Sequence, residues 1–179
     1  TSPLRSFRPR LPVLCALLAI AAAAGAFGLQ SDLKSVEIDL VVQSDGTAVV
    51  YESLDWRAWS GLMHGFYLQG TAFEPTFDRE QCYADLAGST RVGLDISDLG
   101  AGKYDVVLAG GRGFSGSALY FLSYAGDHAE HGLIGLTTSE EQGELFYFDW
   151  APEMWDEPLD HRTVRVVLPV IVPGETAGP

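Results

Sequence analysis

Val36-Glu37-Ile38-Asp39-Leu40-Val41-Val42, the turn Ser44-Asp45-Gly46-Thr47 and the return Ala48-Val49-Val50-Tyr51-Glu52-Ser53-Leu54 decide the fold. Apolar and polar residues alternate along the first arm, which is the period-2 signature of a half-buried strand. Asp-Gly tolerates the positive φ angles of a tight reversal, so the two arms read as a hairpin. Working outward, further strands are expected at 91–96, 103–109, 118–125, 143–148 and 163–170, each bounded by Gly, Pro, Asp or Ser. No stretch sustains a helical period. Thr138-Ser139-Glu140-Glu141 has capping-box spacing and is expected to start a single helical turn. Many short strands without βαβ alternation predict an all-β chain, an antiparallel β-sandwich first and a barrel second.

The domain expected over residues 31–172 is strongly acidic. The first 30 residues carry Arg5, Arg8 and Arg10 with no acid, contributing +3 to the net charge of −13 and leaving −16 for the remainder. Such a surface repels phosphate backbones, so no nucleic-acid partner is expected. Cys82 stands alone in the domain and Cys15 lies in the N-terminal segment, so no disulfide forms within the folded part.

Arg5, Arg8 and Arg10 precede an uncharged apolar run over residues 11–28. A positive flank before an apolar stretch is what an export signal needs. Residues 1–30 are therefore read as a signal peptide or an uncleaved membrane anchor, expected to be helical. Ala24-Gly25-Ala26 offers the small residues a signal peptidase requires, while 18 residues at ~1.5 Å rise nearly span a bilayer. Either way the domain is exported or membrane-anchored and faces the extracytoplasmic side. Residues 173–179 read as a linker or tail.

Gly111-Arg112-Gly113-Phe114-Ser115-Gly116 matches the dinucleotide fingerprint, but aromatic, strand-like residues 118–124 follow where a helix would have to receive the pyrophosphate. No nucleotide and no cofactor is read from it. Asp127, His128 and His131 form a cluster with metal-ligand chemistry, which a curled loop would bring together around a transition metal. Asp149, Trp150, Glu153, Trp155 and Asp156 combine aromatic faces with carboxylates, a mixture suited to stacking on a sugar or to coordinating calcium. The same residues would equally close the edge of a β core. No serine elbow, cysteine–histidine pair or isolated carboxylate pair is found, so no catalytic residue is assigned.

The order of features resembles the family catalogued as domain of unknown function 2207, predicted membrane proteins with an extracytoplasmic N-terminal domain. The carriers are Asp45-Gly46-Thr47-Ala48-Val49-Val50-Tyr51-Glu52, His64-Gly65-Phe66-Tyr67, Tyr120-Phe121-Leu122-Ser123-Tyr124, residues 144–149 with Trp155, and residues 164–169. Leu68 and Gln69 stand where that family usually has a basic residue, and Phe148 where it has a tryptophan. The resemblance implies an immunoglobulin-like β-domain without established activity. Together with the residues it gives a ranked expectation. First comes a non-enzymatic interaction domain with a protein partner, in a membrane complex, bound through an edge strand or end loops. A carbohydrate- or calcium-binding module is second, and a hydrolase using carboxylates third.

Overall fold

The computed structural model describes residues 28–169, apart from Ser89 and Glu157. The segment expected as signal or anchor lies outside the described residues except for its last three positions, and the 173–179 tail lies wholly outside them. Among the described residues no helix is long and apolar enough to cross a membrane. The described chain is nearly all β.

The hairpin forms as its alternation demands. Strand β1 (Gln30–Val42) pairs antiparallel with β2 (Thr47–Met63), with Val42 opposite Ala48 and Leu40 opposite Val50. Asp45 holds the turn by accepting hydrogen bonds from the Thr47 backbone N–H (3.0 Å) and hydroxyl (2.7 Å), and Gly46 supplies φ +89°. A register shift between Leu33 and Ser35 turns both Leu33 and Val36 inward although they are three residues apart.

The remaining strands are β3 (Gly65–Gln69), β4 (Thr76–Phe77), β5 (Tyr83–Leu86), β6 (Thr90–Gly100), β7 (Lys103–Leu108), β8 (Phe114–Asp127), β9 (Ile134–Ser139), β10 (Gly143–Phe148) and β11 (Leu159–Val167). Their order in the main sheet is β11-β1-β2-β8-β5-β6-β7-β3, with β4 also on β8. β9 and β10 form a separate two-stranded ribbon. β6 changes partner midway: Thr90–Gly93 pair with β5, whereas Leu94 onward pairs with β7. A strand that switches partners in this way makes a corner, and here it curls the sheet onto itself. Phe66 of β3 consequently lies 5.8 Å from Trp56 of β2 and 5.1 Å from Tyr120 of β8, ring centroid to ring centroid.

The core lies between the two halves of this curl. β2 sends Ala48, Val50, Leu54, Trp56 and Ala58 inward, and β8 sends Ala118, Tyr120, Leu122 and Tyr124. Val106 and Leu108 of β7 and Leu68 of β3 face them from the other half. Gly65 lets β3 lie close to β7, since a Cβ there would sit 2.0 Å from the Val106 carbonyl oxygen.

All five strands expected beyond the hairpin are present, but the one expected over 163–170 runs from Leu159 to Val167, and Val170 lies outside the described residues. The helical turn expected at 138–141 is not. Thr138 pairs with Glu144 across the β9–β10 ribbon, and Ser139 Oγ accepts from the Glu141 and Gln142 N–H groups at 3.3 and 3.4 Å. The hydroxyl-and-acid spacing that suits a helix cap here serves a hairpin turn instead. The glycine-rich stretch 111–116 joins a 3-10 turn at Ala109–Gly111 directly to β8, with no helix after it.

Candidate functional site

β2 places a carboxylate where its alternation calls for an apolar side chain. Glu52 faces inward between Val50 and Leu54, with Ile38 and Leu122 as its cross-strand neighbours. It is 2% exposed, and neither of its oxygens has a hydrogen-bond partner. Segment 149–156 brings a second carboxylate to it. Glu153 is 3% exposed and accepts a 2.5 Å hydrogen bond from the Tyr124 hydroxyl of β8. Tyr124 also stands beside Glu52 without reaching good hydrogen-bond geometry. Arg162 of β11 donates to the Glu153 backbone carbonyl at 3.4 Å and tempers both acids.

The electrostatics follow from burial. Loss of water, followed by the neighbouring Glu153 charge, pushes the Glu52 carboxyl well above the usual carboxylate range. Burial likewise raises Glu153, against the opposing pull of the Tyr124 hydrogen bond. The Tyr124 hydroxyl is raised by burial and by both acids. These groups therefore hold protons to higher pH than free carboxyls do, and they are sealed from solvent.

The 149–156 segment seals them. Trp155 packs against Phe66 (5.7 Å) and edge-on to Trp56 (6.5 Å), and Trp150 is half-buried against the same core. The Gln69 side chain donates to Asp156 at 2.9 Å and the Met154 N–H to the Gln69 carbonyl at 3.3 Å, which fastens the segment along β3. Of the residues expected to meet a sugar or calcium, Asp149 and Asp156 face solvent, Glu153 faces the core, and the tryptophans cover the core edge.

Asp127, His128 and His131 differ in burial, although the His131 ring lies 6.3 Å from that of Phe73. His128 is fully buried, 4.6 Å from the Phe73 ring, and burial lowers its pKa. His131 and Asp127 are exposed, and Asp127 accepts from the Glu130 N–H at 2.8 Å. Among the described residues no group of three or more His, Cys, Asp or Glu side chains is placed to hold a metal ion. Cys82 is buried, 3.6 Å from the Ser123 carbonyl oxygen, and burial pushes its thiol up.

Two surfaces escaped the sequence reading. On the core side of the sheet, β11 continues the inward row of β1: Arg162, Val164 and Val166 lie beside Val36, Ile38 and Leu40. The facing half does not reach them, so Val164 and Val166 are 40% and 39% exposed. β11 pairs only with β1 and leaves its other edge open among the described residues. On the opposite face, small side chains Ser53 and Ser123 lie between Tyr51 and Phe121, making the floor of a groove of about 530 Å³. An exposed acid on an outward strand position carries no warning in sequence that its neighbours form a concavity.

No known family profile matches the chain, and no curated protein matches it. Among solved structures, a crystal structure of a two-domain M1 zinc metallopeptidase mutant bound to L-tryptophan is similar at 18% identity and a TM-score of 0.38. The match covers 62% of this chain and only 22% of that one, and it carries no inference about activity.

Proposed function

We propose that this chain is a non-enzymatic, extracytoplasmic interaction domain, an immunoglobulin-like sandwich held at or exported across a membrane by its N-terminal segment, and that it binds a protein partner along β11. One observation carries the reading: β11 combines an edge left open among the described residues with two core-side valines that remain about 40% exposed. An open strand edge offers unpaired N–H and C=O groups, and a partner strand laid there would satisfy them. The same strand would extend the core side of the sheet and place its own apolar residues over Val164 and Val166. Remote resemblance to the domain of unknown function 2207 family supports the membrane setting. The sealed position of Glu52 and Glu153 argues against hydrolysis, because a substrate bond has no path to either carboxyl.

The test is photo-cross-linking in the native membrane from a photoreactive residue at Val164, alone and combined with Val166→Pro. Proline removes an N–H and blocks strand addition. The expected result is one discrete adduct that disappears in the proline variant. Adducts from Leu136 or Phe146 on the β9–β10 ribbon, both exposed, with none from β11, would move the interface to that ribbon and overturn the proposal.

A further inference from the structure

The groove on the outer face has a defined layout. Reading across the strands by register, one row runs Thr163, Glu37, Ser53, Phe121, Tyr83, and the next runs Arg165, Asp39, Tyr51, Ser123. Five strands at ~4.8 Å spacing make the first row about 19 Å long, and rows two residues apart are separated by about 7 Å. These are the dimensions of an extended peptide of a few residues. Glu80 and Gln81, just before β5, also line it.

Charge and exposure select the occupant. Arg165 pairs with Asp39 through both guanidinium and carboxylate ends, Nε to Oδ1 at 2.7 Å and Nη2 to Oδ2 at 2.5 Å. Glu37 and Glu80 have no salt-bridge partner among the described residues. Of the aromatic rings, Phe121 is covered by Tyr83 at 4.7 Å, and Tyr83 carries the Arg91 guanidinium 3.7 Å from its ring centre. That leaves Tyr51, 43% exposed, as the open ring in the groove. One open ring in a groove that also carries two unpaired carboxylates suits a cation better than a neutral sugar chain, which needs successive stacking platforms.

We propose that this groove is a binding site for an extended peptide segment bearing lysine or arginine, whose cationic side chains lie against the Tyr51 ring and between Glu37 and Glu80. The site lies on the opposite face of the sheet from Val164 and Val166, and β11 lends it only Thr163 and the Asp39-paired Arg165 at one end.

The experiment titrates the full chain, in a non-ionic detergent, into a dye-labelled acetyl-(Lys-Ala)3-amide peptide at low ionic strength and follows anisotropy. Glu37→Gln with Glu80→Gln should weaken binding about tenfold, and Tyr51→Ala about fivefold. Asp95→Asn with Glu144→Gln removes the same charge from exposed positions elsewhere and should change the affinity by less than about twofold. Val166→Pro should also leave it unchanged, so the groove and the strand edge fail separately. Equal losses in the groove and distant variants would reduce the binding to net charge and overturn the site. Absence of binding would overturn it too, as would capture of a neutral glucose hexasaccharide lost in Tyr51→Ala and indifferent to the glutamate changes.

Discussion

Glu52 is a buried acid with no hydrogen-bond partner for either carboxyl oxygen. A group whose folded pKa lies above its unfolded value makes a contribution that is complete below the unfolded value and is lost as pH rises. For Glu52 and Glu153 that unfolded value is near 4.5, so stability should decline from about pH 4.5 upward as the unfolded chain releases protons the native core retains. Asp45 and Asp85 act oppositely: Thr47 and Arg91 lower them, and their contribution is lost as pH falls below about 3.8. Greatest stability is therefore expected in mildly acid solution. Glu52→Gln removes the ionisable group at nearly constant shape. It should stabilise the protein by about 1–3 kcal/mol at pH 8 and by almost nothing at pH 4, measured by urea melts at both values. An equal effect at both would mean that charge at this position is not what costs stability.

At the scale of elements, local chemistry was legible wherever one strand decided its own fate. The hairpin of β1 and β2 follows from alternation and Asp-Gly, and β10 spans its sequence pattern to the residue. β3 was not legible, because Gly65-Phe66-Tyr67-Leu68-Gln69 is short and opens on a glycine that weakens a strand in isolation. Its merit is visible only against β7, where the missing Cβ permits close approach. Gly65→Ala should therefore destabilise by about 1–3 kcal/mol and raise amide exchange along β3 and β7 before the rest of the sheet. Normal protection there would show that β3 tolerates displacement. The site was legible in composition and not in placement. Trp155 and Glu153 read in sequence as part of a sugar- or calcium-binding mixture, yet whether an aromatic–acid segment faces water or core depends on Phe66, Trp56 and Tyr124, which lie far away in sequence. Glu52 carried a readable signal, an acid at an inward position of an alternating strand, but nothing in the sequence places Glu153 beside it.

For the described molecule as a whole, the decisive contact joins its first and last strands. β11 closes on β1 in parallel, with Leu33 beside Leu159 and Val41 beside Val167, and with ion pairs Lys34–Asp160 and Asp39–Arg165. Pairing over so long a separation makes folding slow and leaves β1 as an open edge until the last strand arrives. Truncation before Leu159 should consequently yield a chain that collapses but self-associates, detected as concentration-dependent light scattering and faster proteolysis. A truncated chain that stays monomeric and protected would show that β11 is dispensable to the sheet.

The parallel sense of that closure also has a mechanical meaning. Because β1 and β11 run the same way, the start of β1 and the finish of β11 lie at opposite ends of the strand pair, ~40 Å apart for strands of this length. Tension applied between those ends pulls the two strands past each other lengthwise, so the rungs joining them bear the load together instead of opening one at a time. A domain strung in line between two anchored points would in this way resist stretching as a rigid link.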